Sequence, residues 1–528
     1  MFAHIIAAII LTVASATTPT PTLLWPLPQS YQGSGTTRSV VPSEPFFKLT
    51  ANVGNPTLSA AFKRYKQLTF PHITKSAPVA NSLLSGLMVT VADLDESHPQ
   101  LNTNETYTLS VPTSGNATCS SQTIYGAMHC LETFSQLVTF SFDDETYSIT
   151  STEIVDFPRF PHRGLMVDTA RHFETLASLR HIIDSLPYAK INVLHWHMSD
   201  SQSFPFQVKS FPKLWDGAYS EVEKFTQDDV AATVEYARMR GVRVMVEFDV
   251  PGHAASWCAG YPEICPSTTC QQPLNVANNK TFDVIDGILG ECTGRKTSTK
   301  GNPSGLFPDD FIHLGGDEVD TSCWIKTPAV NAWLESKNFT GDAAYAYFAK
   351  RAATIALKQG RRPVQWSEVY DHFKTALDKK TVVHIWKPNT NVTEVVANGY
   401  NVLINVGYVA KSWYLDNLNV NWTAVYANEP CEGVPDDLCA DKILGGHGEM
   451  WGETVDTSDL AQTVWPRLAA IGERLWSERS ATQSSANAHP RIEAFRCLLN
   501  RRGIEAAPVN NANARTSPPN PGSCLQQR

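Results

Sequence analysis

The chain has 528 residues, with 43 Lys and Arg against 52 Asp and Glu and a formal charge of −9; at roughly 100–200 residues per domain this predicts two to four domains. A hydrophobic content of 42% excludes a disordered chain. With 18% charged residues and no basic excess, the electrostatic footprint of a nucleic-acid binder is also excluded.

At the N-terminus, MFAHIIAAIILTVASA places an apolar run, Ile5 to Val13, before Ala14-Ser15-Ala16. This pattern reads as a signal peptide over residues 1–16, although a charged leading segment is missing. The TTPTPT stretch at 17–22 then opens the mature chain. No later segment has the uninterrupted apolar run of about 18 residues that a membrane span needs. The expected route is secretory, ending outside the cell or in a lysosome or vacuole. Six Asn-x-Ser/Thr sequons, at Asn104, Asn116, Asn279, Asn338, Asn391 and Asn421, agree with that route, as do eleven cysteines. An odd count leaves at least one thiol unpaired. The expected pairs are Cys270 with Cys323, Cys431 with Cys439 and Cys497 with Cys524; Cys119, Cys130, Cys258, Cys265 and Cys292 stay open.

Residues 17–155 mix alternating runs, such as Leu87–Val91 and Tyr107–Val111, with helical patterns near 59–68 and 121–137, which predicts a small α+β domain. The two prolines of DFPRFPHRG at 156–164 read as a linker. Eight short apolar runs then alternate with helical stretches, beginning at Gly164, Asn192, Val242, Phe311, Pro363, Val382, Asn401 and Ile443. Such alternation implies βαβ units, and eight of them predict a (β/α)₈ TIM barrel, an α/β fold, over residues 156–502. The Pro- and Asn-rich residues 503–528 read as a surface tail.

Barrel active sites lie at the C-terminal ends of the strands, so the residues closing each run carry the functional signal. In order these are Asp168 and Arg171; His195, His197 and Asp200; Glu247, Asp249 and His253; Asp317 and Glu318; Trp366 and Glu368; Trp386; Tyr408, Trp413, Tyr414 and Asp416; and Glu449, Trp451 and Glu453. Carboxylates ringed by tryptophans suit a sugar, whose apolar C–H faces lie on aromatic rings while its hydroxyls meet the acids. Taken alone, Gly-Gly-Asp-Glu at 315–318 is a weak signal, since adjacent acids are usually solvated. His195 and His197 share a strand face and could suggest a metal. No further His/Cys ligand set follows, which favours core or hydrogen-bonded histidines. Trp257 and Trp324 are expected to pack loops.

Together, FPRFPHRGLMVDTARHF at 157–173, LHWHMSDSQSFPF at 194–206, EFDVPGHAASW at 247–257, HLGGDEVDTSCW at 313–324, SWYLD at 412–416 and MWGETVD at 450–456 resemble the β-N-acetylhexosaminidases of glycoside hydrolase family 20, of the eukaryotic lysosomal or secreted type. LETFSQL at 131–137 resembles the end of that family's N-terminal domain. The resemblance implies release of terminal non-reducing N-acetylglucosamine or N-acetylgalactosamine with retention, the substrate's acetamide oxygen acting as nucleophile. It assigns Glu318 as general acid/base, Asp317 as the carboxylate that orients the acetamide, and Tyr414 as hydroxyl donor to the acetamide oxygen. Trp366, Trp386 and Trp451 become pocket walls, Arg171 and Glu453 the clamp on the 3- and 4-hydroxyls, and Asp416 the contact to the 6-hydroxyl. Asp200 and His253 match a relay that holds Glu318 and raises its affinity for a proton.

The implied partner is a glycan or chitin-oligosaccharide substrate, with no cofactor, no metal and no nucleic acid. The homodimer common in the family is carried over as an implication. Two positions depart from the pattern: His447 follows Gly445-Gly446 where many relatives have Glu, and Ser201 follows Asp200 where some have a second acid. Neither is matched to the chemical step, though His447 puts the pH optimum in question.

Overall fold

A computed structural model describes residues 22–51, 53–74, 83–294, 305–406 and 412–509. The signal-peptide segment, Tyr408 and Cys524 lie outside the described residues. In the N-terminal part, strands β1 (Ser30–Val40), β2 (Phe47–Leu49), β3 (Leu83–Leu84), β4 (Leu87–Asp93), β5 (Tyr107–Val111), β6 (Ala117–Thr123), β7 (Thr139–Ser141) and β8 (Thr146–Asp156) form one mixed sheet. Its order is β2-β4-β6-β5-β8-β1-β3, with β7 on β8. Helices Pro56–Thr69 and Ile124–Leu137 pack on it. Asn55 and Thr123 cap them, each accepting a hydrogen bond from a first-turn backbone N–H that has no partner within its helix.

Strands β9 (His162–Asp168), β10 (Val193–Ser199), β11 (Arg243–Phe248), β12 (Phe311–His313), β13 (Arg362–Trp366), β14 (Val382–Ile385), β15 (Asn401–Ile404) and β16 (Ile443–Met450) close a parallel barrel, β16 pairing with β9. Helices cover its outside, so strands such as β9 and β10 are buried at every position. This is why they read as near-continuous apolar runs. Val193, Met245, Phe311, Val364, Val382, Leu403 and Leu444 fill the lower interior. Each such burial is worth about 1.5–3 kcal/mol relative to exposure.

Buried charges join the two parts. Arg163 at the base of β9 donates to Glu105 at 2.7 Å, and His129 approaches the same carboxylate at 2.8 Å. Lys190 pairs with Asp156 at 2.6 Å, and the Trp476 indole donates to the other oxygen of Asp156.

Two expectations need correction. The linker is shorter than 156–164, because Asp156 still belongs to β8 and His162 already belongs to β9. Residues 504–509 are not a surface tail: Ile504, Ala506, Ala507 and Val509 are buried, and the Ala507 N–H donates to the Trp465 carbonyl. Small apolar residues inside a Pro- and Asn-rich stretch supply that contact.

Disulfides join Cys119 to Cys130, Cys258 to Cys265, Cys270 to Cys323 and Cys431 to Cys439, while Cys292 is a buried free thiol. Cys497 is also disulfide-bonded. Asn104, Asn116, Asn279, Asn338 and Asn391 are exposed and Asn421 is half-buried. Among the described residues no helix is long and apolar enough to cross a membrane.

Candidate active site

Most of the carboxylates and aromatics read from the strand ends gather around the turn after β12, but Trp413 does not: it is buried in the outer core, its indole donating to the Val425 carbonyl at 3.0 Å. The turn after β12 sets the geometry. Gly315 and Gly316 have φ of 61° and 96°, a left-handed region that costs glycine little. Space also requires Gly315, because a Cβ there would stand 1.9 Å from the Asp249 carboxylate. That carboxyl receives the Gly316 N–H at 2.8 Å. The turn ends with Glu318 itself left-handed, at φ 48°, a conformation uncommon for a residue with a Cβ and often found where function fixes the backbone.

This backbone gives two adjacent carboxyls opposite surroundings. The Asp317 side chain is 9% exposed and that of Glu318 is 58% exposed. His253 Nε2 lies 3.6 Å from Asp317 Oδ2 and 3.5 Å from Glu318 Oε2, while its Nδ1 meets Asp200 Oδ1 at 3.1 Å. Burial disfavours a charged imidazole, yet the hydrogen bond to Asp200 and the charge of Asp317 push His253 up to about 9. It is therefore a cation. Asp200, His253 and Glu318 thus lie in one line of contacts, with His253 between the two carboxyl groups.

Asp200 is gripped from three sides, by His197 Nε2 at 2.9 Å, Arg171 Nη2 at 2.9 Å and His253. Burial opposes its charge, but the hydrogen bonds from His197 and His253 hold it well below the usual carboxylate range. His197 bridges Asp200 and Glu247, the latter at 2.8 Å. Against the cost of burial, the Glu247 charge and the Asp200 hydrogen bond keep His197 protonated. The structure thus makes His197 an ion-paired core histidine.

Arg171 reaches Asp168 at 2.8 Å and Glu453 at 3.4 Å, and lies over the Trp451 ring at 5.0 Å. Glu453 itself is exposed. Trp366 is buried, donates to Glu247 at 2.9 Å and sits 5.9 Å from Trp451. Trp386 donates to Glu368 at 2.6 Å, and Lys387 anchors the other Glu368 oxygen at 2.6 Å. Tyr414 donates to the Trp386 carbonyl at 3.2 Å. Burial and the surrounding carboxylates of Glu449, Asp416, Glu368 and Asp317 push its phenol up, so it remains a neutral donor. Asp416 is half-buried, and burial raises it to about 6. Trp257, in the short 3-10 helix Ala255–Ala259, and Trp324, in the short helix Ser322–Lys326, are buried, the Trp324 indole packing on a loop by donating to the Pro273 and Leu274 carbonyls.

Two residues gain a place here that the sequence did not assign. Asp249 is pushed well up by burial and by the neighbouring Asp317 carboxylate, which makes it a neutral acid beside Asp317. Glu368 positions Trp386. Both close strand runs in the sequence, but their partners lie on other strands.

The catalytic-domain model of glycosyl hydrolase family 20 matches residues 160–479, and a beta-acetyl hexosaminidase like domain matches residues 24–137. Beta-hexosaminidase 1 of Arabidopsis thaliana is 42% identical, with 97% of each chain covered. Beta-hexosaminidase subunit alpha of Rattus norvegicus is 35% identical, over 95% of this chain and 96% of its own. Among solved structures, a chitobiase of Flavobacterium johnsoniae superposes with a TM-score of 0.77 at 28% identity, covering 91% of this chain and 73% of that one. With this barrel, this ring of strand-end carboxylates and these relatives, the chain belongs to glycosyl hydrolase family 20 and is a glycoside hydrolase.

Proposed function

We propose that this enzyme is an exo-β-N-acetylhexosaminidase. It removes terminal β-linked N-acetylglucosamine or N-acetylgalactosamine from glycans or chitin oligosaccharides with retention of configuration, using the substrate's own acetamide. The observation that carries this reading is the pair of adjacent carboxyls with opposite surroundings, Asp317 enclosed and Glu318 open. Glu318 gives its proton to the glycosidic oxygen as the C1–O bond breaks, and the acetamide oxygen closes on C1 to form an oxazolinium ion. Asp317 accepts the acetamide N–H and faces the developing positive charge, and Tyr414 donates to the acetamide oxygen. Water then attacks C1 and yields its proton to Glu318. Trp366, Trp386 and Trp451 enclose the sugar, Arg171 and Glu453 take its 3- and 4-hydroxyls, and Asp416 takes the 6-hydroxyl.

The disulfides and surface sequons support a secretory route to the cell exterior or to a lysosome or vacuole. An N-terminal domain ending at Asp156, a barrel domain from His162 through Val509 and a homodimer complete the proposal; light scattering at twice the chain mass checks the dimer. Rapid hydrolysis of a chromogenic N-acetyl-β-glucosaminide and neglect of the matching β-glucoside is the expected result. Equal rates on both would overturn the reading.

A further inference from the structure

TIM barrels fill their interior in layers of four side chains from alternate strands, usually branched aliphatics. Here one layer is built from four histidines: His195 on β10, His313 on β12, and His384 and His447 on β14 and β16. All four are fully buried. Their rings form a closed circuit, with centroids 4.7 Å apart for His195 and His313, 5.5 Å for His313 and His384, 4.6 Å for His384 and His447, and 5.2 Å for His447 and His195. Room for this layer is built into the backbone, since a Cβ on Gly164 would stand 2.0 Å from the His447 ring.

Two carboxylates border the circuit. Glu247 Oε2 lies 2.7 Å from His195 Nε2, and Glu247 Oε1 lies 3.1 Å from His313 Nδ1. Glu449 Oε1 lies 3.1 Å from His384 Nε2 and 3.7 Å from His447 Nδ1. These approaches are close but poorly aligned: both His195 nitrogens, His384 Nε2, His447 Nδ1 and both Glu449 oxygens lack a hydrogen bond. So many buried polar atoms short of a well-aligned hydrogen bond is a costly arrangement, and a bound ion is one arrangement that satisfies them. Nitrogens of His195, His384 and His447 lie within 4.8 Å of one another. Tetrahedral coordination at about 2.0–2.1 Å needs them about 3.4 Å apart, so on binding the three rings close in, and Glu449, which already stands by His384 and His447, completes the set.

We propose that His195, His384 and His447, with Glu449 as fourth ligand, bind one divalent transition ion of the zinc class as a structural centre of the barrel. Imidazoles with one carboxylate form a borderline donor set that suits such an ion. Glu247 completes the site from outside by holding the second nitrogen of His195, as carboxylates do behind metal-bound imidazoles. The dication balances carboxylate charge where, among the described residues, the only ion-pair partners of Glu449 are His384 and His447. It also reaches the sugar pocket mechanically, because Trp366 stacks on His384 at 4.3 Å. The ion takes no part at the reacting atoms, and with every ligand buried it enters during folding.

The test uses the full chain made in a secretory host, purified without a metal-affinity tag and dialysed against chelator. Elemental analysis is expected to give about one zinc per chain. Unfolding in denaturant with a chromogenic zinc indicator should release that ion as the intrinsic fluorescence changes. A Co²⁺-loaded chain, refolded with its disulfides intact, should show visible absorption of a four-coordinate centre. His384→Gln with His447→Gln should abolish both signals; should that variant not fold, indicator release from the wild type still decides. Less than about 0.1 ion per chain, together with a melting temperature unchanged when the wild type is refolded with Zn²⁺, would overturn the proposal.

Discussion

Asp416 shows how much one residue's surroundings decide. Burial raises its carboxyl to about 6, so about nine-tenths is ionised at pH 7 and about one-tenth at pH 5. In its proposed place at the 6-hydroxyl, that carboxylate repels a 6-sulfated sugar, whose charge does not titrate in this range. The ratio of kcat/KM for neutral over 6-sulfated N-acetylglucosaminide is therefore expected to be several-fold higher at pH 7 than at pH 5, about 1 kcal/mol of repulsion at a partly screened site. Asp416→Asn should flatten that dependence. A ratio independent of pH in the wild type would contradict the assignment. At this scale the sequence was highly informative: Asp317, Glu318 and the tryptophans stand at strand ends where the barrel rule looks for them. Asp249 and the histidine layer were not legible, because each of those residues acquires its meaning only beside partners on other strands. Nothing in His195-Trp196-His197 reveals that its first histidine meets His384 and His447.

At the scale of elements, the Cys270–Cys323 disulfide ties the loop after β11 to the segment that follows Glu318. Its sequence separation of 53 closes a loop of 54 residues, for which chain entropy gives roughly 4 kcal/mol as an upper figure. Replacing both cysteines by alanine is expected to lower the denaturant midpoint and, by loosening the turn that carries Glu318, to reduce kcat more than KM. An unchanged midpoint would show that the bond braces nothing. The barrel strands were readable as elements because full burial writes short β-branched runs separated by helical spacing. Residues 504–509 were misread since composition describes a stretch on average, whereas burial depends on which few side chains face the barrel.

For the molecule as a whole, the buried ionic contacts between sheet and barrel couple folding to pH. Glu105 is opposed by burial, yet the Arg163 charge and the His129 hydrogen bond lower it to about 2 from a reference of 4.5. A carboxyl lowered on folding contributes fully above about pH 4.5, and its contribution fades as the pH falls toward 2. The size is about 3 kcal/mol. Unfolding curves should show the wild type more stable than Glu105→Gln at pH 6, with the gap closing below pH 4; a gap constant from pH 6 to pH 3 would contradict this. The barrel was legible at this scale from eight repeats of one pattern. The N-terminal sheet was legible only as α+β, because its order mixes parallel and antiparallel neighbours from distant segments, and no local pattern encodes that order.

The central claim, that the acetamide attacks while Glu318 moves the proton and Asp317 serves the acetamide, is tested most directly by pairing each acid variant with two leaving groups. Glu318→Gln is expected to lose about 10²–10⁴ in kcat/KM on a poor alcohol leaving group and to recover much of it on a nitrophenolate, which needs little protonation. Asp317→Asn is expected to lose about 10²–10³ on both, because acetamide attack lacks its partner charge in either case. Equal recovery by the two variants on the nitrophenolate, or a covalent glycosyl adduct on Asp317 or Glu318 in the mass spectrum, would contradict the account.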